Sequence, residues 1–153
     1  MAPNYQLDGL DRKILSMITR NARIPFLEVA RECGVSGAAI HQRVHKLQEI
    51  GVVSGSEFIL DPQRVGYQTC AFIGIFLEKA SMYGRVVEEL GTIPEIVECH
   101  YTTGNYAIFI KLYTRNNDHL RQILVERLQA IAGISSTETF ISLEERFRRQ
   151  PPI

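Results

Sequence analysis

Residues 26–50 of this 153-residue chain, FLEVARECGVSGAAIHQRVHKLQEI, restrict its possible folds more than any other segment. From Phe26 to Cys33 apolar side chains recur at i, i+3, i+4 and i+7, which is the spacing of one helix face. Gly34 is suited to end that helix, and Ser36 is suited to cap a second one. Two short helices that meet at a glycine turn predict a helix-turn-helix motif.

The second of these helices has an outer face that is free to enter a DNA groove. Ile40, Val44 and Leu47 form its inner face, and because successive residues turn by about 100°, the other side chains point outward. Gln42 is the predicted base reader because its amide can form two hydrogen bonds with adenine. The methyl groups of the alanines can pack on the methyl group of thymine. Hydroxyl and cationic side chains suit the phosphate oxygens. The predicted DNA-binding residues are Ser36, Ala38, Ala39, His41, Gln42, Arg43, His45 and Lys46.

The flanking segments favour DNA recognition over the alternative, an ordinary pair of amphipathic helices with a solvated face. Residues 51–59, GVVSGSEFI, have the pattern of a short β-wing with glycines at its bends. Upstream, Leu10, Ile14 and Ile18 mark a third helix that Asp8 can cap. Residues 1–59 are therefore predicted to form a winged helix-turn-helix domain.

Charge and hydropathy limit the classes of protein to which the chain can belong. Lys and Arg number 17, Asp and Glu number 17, and residues 1–60 hold seven basic and six acidic residues. The attraction to DNA must then come from a local cationic patch on the second helix, which a symmetric dimer would double. No hydrophobic run approaches the ~20 residues that span a membrane, and the N-terminal sequence lacks the apolar core of a secretory signal. A cytoplasmic protein without membrane contact is expected.

The cysteine and histidine spacings predict neither a metal site nor a cofactor. Cys33, Cys70 and Cys99 lack C-x-x-C spacing and are expected to be buried free thiols. His41 and His45 are one helical turn apart, as in helical metal sites, but local spacing brings no cysteine or acidic ligand to them.

The second half of the chain has its own pattern, after a hinge at residues 60–67 that contains proline and glycine. Strands are predicted at residues 70–77, 96–103, 106–114 and 136–147, and helices at residues 82–90 and 118–130. The motif L-x-x-I-x-x-I begins at Leu90 and again 38 residues later at Leu128. A duplicated βαββαβ order is the ferredoxin-like plan, so residues 68–153 are predicted to be one such domain in an α+β protein.

Two of the predicted strands are apolar on both faces. In the first, Phe72 and Phe76 face away from Ile73 and Ile75, and in the third strand Phe109 faces away from its isoleucine neighbours. Because the helices of this plan cover one face of the sheet, a second copy of the chain is expected to cover the other, in an obligate homodimer. The alternative is a sheet covered by the chain's own helices or hinge.

Four stretches, in this order, carry a resemblance to a known family: LDGLDRKIL from Leu7, VARECGVSGAAIHQRVHKLQEIGVVSG from Val29, VECHYTTGNYAIFIKL from Val97 and TFISLEER from Thr139. The chain resembles the Lrp/AsnC family of feast/famine transcriptional regulators over nearly its whole length. The resemblance implies a winged helix-turn-helix head joined to a ferredoxin-like regulation-of-amino-acid-metabolism (RAM) domain. It also implies dimers that assemble further, commonly to octamers, and that bind double-stranded DNA. An amino acid or related small molecule is the implied effector.

The resemblance places the effector site near the loop between the two central strands. Gly104 lets the backbone approach a ligand, and the Thr103 hydroxyl with nearby N–H groups can hold a carboxylate. The family loop carries acids where this chain has Asn105 and Ala107, so a carboxylate from a neighbouring strand is the expected substitute, and a changed ligand or none is the alternative. The expected effector-binding residues are Thr102, Thr103, Gly104, Asn105, Tyr106, Glu98, Thr137, Glu138 and Thr139.

Two alternatives to a DNA-binding regulator stay open on the sequence. Some relatives of this architecture are decarboxylases of tetrapyrrole synthesis, but the entry to the first core strand, GYQTC at residues 66–70, lacks the clustered cations that an acidic macrocycle needs. Sequence spacing also brings no serine, histidine and acid together, so the protein is not expected to be an enzyme. The other alternative is a ligand-sensing co-regulator that binds DNA poorly, which the low net charge favours.

Overall fold

The computed structural model describes residues 5–153, and this chain divides into two compact units. The first unit comprises the residues up to Phe58 together with Phe147–Ile153, and the second comprises Ile59–Arg146. Each unit has a hydrophobic core of its own. Within residues 5–153 no helix combines the length and apolar character that crossing a membrane requires.

Three helices form the first unit: α1 spans Gly9–Ile18, α2 spans Phe26–Cys33 and α3 spans Gly37–Glu49. Asp8 caps α1, and the Ser36 hydroxyl caps α3 by accepting the N–H of Ala39 at 3.2 Å. Gly34 ends α2 in the left-handed conformation, with φ of +69°, where glycine meets no steric penalty. The helix-turn-helix predicted from residues 26–50 is confirmed.

The core of the first unit is small and draws on all three helices. Ile14 of α1, Val29 of α2 and Ile40 of α3 are each fully buried, and half-buried apolar residues such as Leu10 and Phe26 surround them. A core of this size fixes which face of α3 points inward, so the opposite face is available to a partner.

The β-wing expected at residues 51–59 is not formed, and that prediction is wrong for the chain as the structure describes it. Residues 51–60 contain no strand, and the Val53 N–H donates instead to the Leu47 carbonyl at 3.0 Å. A wing requires two strands that hydrogen bond to each other, and this segment pairs with no other described strand. The side chain of Phe58 is 73% exposed.

The second unit contains a four-stranded antiparallel sheet in the order β2-β3-β1-β4, which confirms the ferredoxin-like plan. Its strands are β1 Thr69–Leu77, β2 Ile96–Tyr101, β3 Ile108–Thr114 and β4 Ile134–Ser142. Its helices are α4 Tyr83–Leu90 and α5 Asn117–Gln122, and α5 continues as a π-helical segment over Ile123–Leu128.

Several element boundaries differ from the sequence-based predictions, and three of the differences have a clear structural reason. Strand β4 ends at Ser142 rather than residue 147, because Ser142 pairs with Cys70, the second residue of β1, and the partner strand extends only one residue further. Strand β2 ends at Tyr101, since residues 102–107 form the turn into β3. The predicted helix at residues 118–130 changes type after Gln122, and the Gln129 N–H donates to the Leu124 carbonyl five residues back.

The two faces of the sheet are covered differently. Ile73 and Ile110 point to the face on which Val86 of α4 and Leu120 of α5 pack, and all four are buried. We call the opposite face the open face, and no helix of the second unit packs against it. Its strand-centre residues are Phe72, Gly74, Phe76, Glu98, His100, Phe109, Lys111, Glu138 and Phe140.

The three cysteines are free thiols, but none of them is fully buried, so the prediction of buried thiols is corrected. Cys33 and Cys70 are half-buried, whereas Cys99 is exposed. Cys99 lies on β2, an edge strand of the sheet, so the expectation of a buried thiol is wrong at this position.

Candidate functional site

The outer face of α3 presents the predicted DNA-binding residues together. Six are exposed, at Ser36, Ala38, His41, Gln42, His45 and Lys46, and two are half-buried, at Ala39 and Arg43. A surface groove of about 490 Å³ lies beside this face, lined by Phe26, His41, Gln42, Val44, His45 and Gln48. The Gln42 amide is therefore exposed on the same side as the two imidazoles and can reach a base edge in a groove.

Several of these side chains have partners that orient them. The His41 ring packs edge-on against Phe26, with ring centroids 4.6 Å apart. His45 Nδ1 is 3.5 Å from the Glu49 carboxylate, one turn further along α3. The Lys46 ammonium lies 4.8 Å from the centre of the Tyr5 ring. These contacts leave the ammonium of Lys46 at the surface, which suits a phosphate contact.

Arg43 differs from the other predicted DNA-binding residues because its guanidinium is already bound within the protein. Its Nη1 donates to the Asp11 carboxylate at 2.9 Å and also to Asp8. Asp11 is fully buried, and the hydrogen bond from Arg43 is the main cause that lowers the pKa of Asp8. A DNA phosphate would therefore have to compete with two carboxylates of the first unit for the Arg43 guanidinium.

The loop between β2 and β3, at which the effector site is predicted, forms a tight turn. Gly104 has φ of +107°, a region that favours glycine, and the Thr102 hydroxyl donates to the Tyr106 carbonyl at 2.7 Å. The Tyr106 ring lies over Gly74 on the open face, and its hydroxyl donates to Glu138 of β4. This hydrogen bond is the main cause that raises the pKa of the Tyr106 phenol.

The structure brings together some of the predicted effector-binding residues and separates others. Glu138 and Glu98 share the open face with Tyr106, but Glu98 is 3.5 Å from the Lys111 ammonium and 3.4 Å from His100. The threonines before and after Glu138, at positions 137 and 139, pair with Ile75 and Ile73 on the helix-covered face, because side chains alternate along a strand. Thr137 and Thr139 therefore cannot share one surface with Glu138.

Sequence reasoning missed two charged side chains that are buried in the structure and form ion pairs. Asp11 contacts Arg43 across 32 residues of sequence, and the available signal was the Asp8–Asp11 spacing of a capping box. Lys111 is buried on the open face, 3.4 Å from Glu145. Burial opposes its charge, but Tyr113 and Glu98 outweigh that effect and raise the pKa of the Lys111 ammonium. A lysine amid the apolar residues of strand IFIKLYT was the signal there.

Comparison with known proteins extends over both units. A family model of the AsnC-type helix-turn-helix domain matches residues 7–48, and a model of the Lrp/AsnC ligand binding domain matches residues 70–152. Regulatory protein AsnC of Haemophilus influenzae is 42% identical over 145 residues, which cover 95% of this chain and 97% of the relative. Regulatory protein AsnC of Escherichia coli K12 is 40% identical over 146 residues, which cover 95% and 96%.

Solved structures agree with these matches. The structure of E. coli AsnC superposes with a TM-score of 0.93 at 39% identity, and the match covers 97% of this chain and 100% of that chain. A transcriptional regulator from Neisseria meningitidis, solved in complex with L-Met, shares the fold with a TM-score of 0.89 at 21% identity over 94% of each chain. Because the matched relatives are named as regulators, the decarboxylase alternative is not favoured. With a helix-turn-helix, a ferredoxin-like sheet and matches to both, the chain belongs to the Lrp/AsnC family of transcriptional regulators and carries its DNA-binding and ligand-binding domains.

Proposed function

We propose that the protein is a cytoplasmic, non-enzymatic regulator that reads double-stranded DNA sequence-specifically through the outer face of α3. The observation that carries this proposal is the shared exposure of Gln42 and Lys46 on the face opposite the buried Ile40 and Leu47. In this proposal residues 1–59 read DNA, residues 60–67 are a hinge, and residues 68–153 bind the effector and the partner subunit. Gln42 reads a base, and Lys46, His41, His45 and Ser36 contact phosphates.

Replacing Gln42 by alanine is expected to relax preference at one base-pair position, whereas Lys46→Ala should weaken binding to all sites by a similar factor. A bidentate base contact contributes about 1–3 kcal/mol of discrimination against the wrong base. A phosphate contact carries no base information but contributes about 0.9 to the slope of log K against log salt. Selection from a randomised site library, repeated at several salt concentrations, measures both effects.

The matched control is Gln48→Ala, an exposed glutamine six residues further toward the C-terminal end of α3. It should leave base preference unchanged because base edges are read by the N-terminal part of a recognition helix. If Gln42→Ala and Lys46→Ala alter the library in the same way, the proposed division of roles is wrong.

We propose further that an amino acid or related small molecule binds at residues 102–106, with Glu138 receiving a cationic group. Gly104 has no side chain, so a ligand can approach the backbone there, and Thr103 next to it is exposed. The hydrogen bond from Tyr106 holds the Glu138 carboxylate next to the loop. A family relative from Neisseria has been solved with L-Met, which supports an amino acid as the ligand class. Thr137 and Thr139 lie on the other face of the sheet and are given no direct contact in this proposal.

Calorimetric titration of the protein with a panel of L-amino acids, L-methionine included, tests the effector proposal. Glu138→Gln is expected to lower the affinity for the amino acid by about 10-fold or more, since a hydrogen bond to a charged group contributes about 1.5–3 kcal/mol. Glu88→Gln on the exposed side of α4 removes the same charge and should change affinity less than about twofold. An amino acid that binds both variants equally well does not use Glu138.

We propose that the open face is the interface of a homodimer. Phe72, Phe76, Phe109 and Phe140 form a connected aromatic cluster with Tyr106, with neighbouring ring centroids 5.1–6.5 Å apart. Such a cluster is typical of a buried interface rather than of a solvated surface. Assembly of four dimers into an octamer is proposed from the family resemblance alone.

A further inference from the structure

Arg43 on the reading helix points toward α1. Its Nη1 donates to both Asp8 and Asp11, at 2.9 Å in the case of Asp11. The Asp11 side chain is 1% exposed and the Arg43 side chain 35% exposed, so the ion pair is partly shielded from water. Asp11 is the one buried carboxylate among residues 5–153. A buried carboxylate needs its partners, so the Arg43 guanidinium is not free to leave without cost.

The Asp11 carboxylate is surrounded by donors. Besides Arg43, it accepts the Tyr5 hydroxyl at 2.8 Å and the backbone N–H of Asp8 at 3.2 Å. The Asp11 N–H donates in return to the Asp8 side chain at 2.7 Å, which completes the capping box of α1. Burial opposes the ionisation of Asp11, but Arg43 and Tyr5 outweigh it and lower the pKa of this carboxyl. The cap of α1 and the middle of α3 are thus joined through one carboxylate.

The same cluster reaches the proposed phosphate contact. The Lys46 ammonium lies over the Tyr5 ring at 4.8 Å, while the Tyr5 hydroxyl is bound to Asp11. Arg43 and Lys46 are three residues apart on α3 and therefore lie on adjacent turns of one helix side. Gln42 directly precedes Arg43, so a rotation of α3 that broke the Arg43 contacts would also move the Gln42 amide.

From this geometry we infer that Arg43 is a positioning residue, which fixes the rotation and depth of α3 through Asp11 and does not contact a DNA phosphate. The inference rests on the proposed function, in which α3 reads DNA. Two carboxylates next to the guanidinium cancel its charge and would repel an approaching phosphate. Arg43 affects DNA affinity only indirectly, because it determines where Gln42 and Lys46 are placed.

The test is the sign of the effect of Asp11→Asn on DNA affinity. This change removes a negative charge from a protein that binds a polyanion, so charge alone, or release of Arg43 to a phosphate, would tighten binding. Loss of positioning is expected instead to weaken binding by about 10-fold or more and to relax preference at the base pair that Gln42 reads. Glu32→Gln, on an exposed residue of α2, makes the same charge change outside the cluster and should tighten binding slightly.

Arg43→Gln supplies a second measurement with the full-length protein. Positioning predicts weaker binding with a salt slope close to that of the wild type, whereas loss of a phosphate contact would lower the slope by about 0.9, as in Lys46→Ala. A relaxed base preference also separates positioning from a general loss of stability, which would reduce the active fraction and leave the preference intact.

Should Asp11→Asn fail to fold, Asp8→Asn takes its place, because asparagine caps a helix as well as aspartate does. It should weaken binding relative to Glu32→Gln. Tighter binding by the aspartate variants, or a slope lowered by about 0.9 in Arg43→Gln, would overturn the inference. A Gln42→Ala variant with unchanged base preference would instead refute the proposed reading role of α3, whatever the Asp11 result.

Discussion

Replacing Phe140 by glutamate is expected to convert a dimer into a monomer at micromolar concentration. Phe140 lies on the open face of the edge strand β4, directly opposite Phe72, and is 43% exposed in the single chain. In the proposed dimer the second sheet would cover this position, so the change buries an unpaired carboxylate twice in a twofold interface. The expected loss is about 2 kcal/mol or more per site, the cost of an interface hot spot. Sedimentation velocity measures the result.

Ile141→Glu is the matched control for this experiment. Ile141 is the next residue on β4, is similarly exposed at 47%, and points to the other face of the sheet. It should remain dimeric with little change in association. A Phe140→Glu protein that stays dimeric, or an Ile141→Glu protein that dissociates equally, would place the interface elsewhere.

Dimerisation also bears on how a nearly neutral head can bind DNA. Residues 1–60 carry one more basic than acidic residue, and the structure commits Arg43 to Asp8 and Asp11. The cationic contribution of each α3 then depends on Lys46. Two linked heads bind with far higher combined affinity than one head, because the second binding event becomes intramolecular. Phe140→Glu is therefore expected to weaken operator binding as well.

Sequence reasoning succeeded where the determining signals are local. The ends of α1, α2 and α3 follow from Asp8, Gly34 and Ser36, because a cap or a left-handed glycine acts within one turn of its helix. The sheet order followed from the repeated motif at Leu90 and Leu128, since a duplicated unit restricts the possible topologies.

It failed where the outcome depends on a distant partner. The wing at residues 51–59 required a second strand to pair with, and the length of β4 was limited by β1, which has only one residue beyond the last pair, Cys70 with Ser142. Arg43 was assigned to a phosphate because spacing around α3 shows which way a side chain points but not which carboxylate lies there. The error in the effector-binding residues was avoidable. Side chains alternate between the two faces of a strand, so the sequence alone already separates Thr137 and Thr139 from Glu138.

Replacing Gly74 by alanine is expected to destabilise the second unit by about 1–3 kcal/mol, the usual cost of overpacking. A Cβ atom at this position would lie 2.4–2.6 Å from three atoms of the Tyr106 ring, which is far inside contact distance. The ring is also held by Phe76, at 5.1 Å between centroids, and by the Glu138 carboxylate. It must therefore leave the sheet, and the 102–106 loop should move with it. Chemical denaturation at a fixed protomer concentration measures the free energy of unfolding.

A double-mutant cycle with Tyr106→Ala separates this clash from any other effect of the substitution. Without the ring, Gly74→Ala should be neutral or slightly stabilising, because alanine loses less backbone entropy than glycine on folding. Gly84→Ala in α4 is the matched control: a Cβ there meets no atom within 4 Å, so the change should be neutral or stabilise by up to about 1 kcal/mol. An equal cost of Gly74→Ala with and without the Tyr106 ring would show that close packing on Gly74 does not hold the effector loop in place.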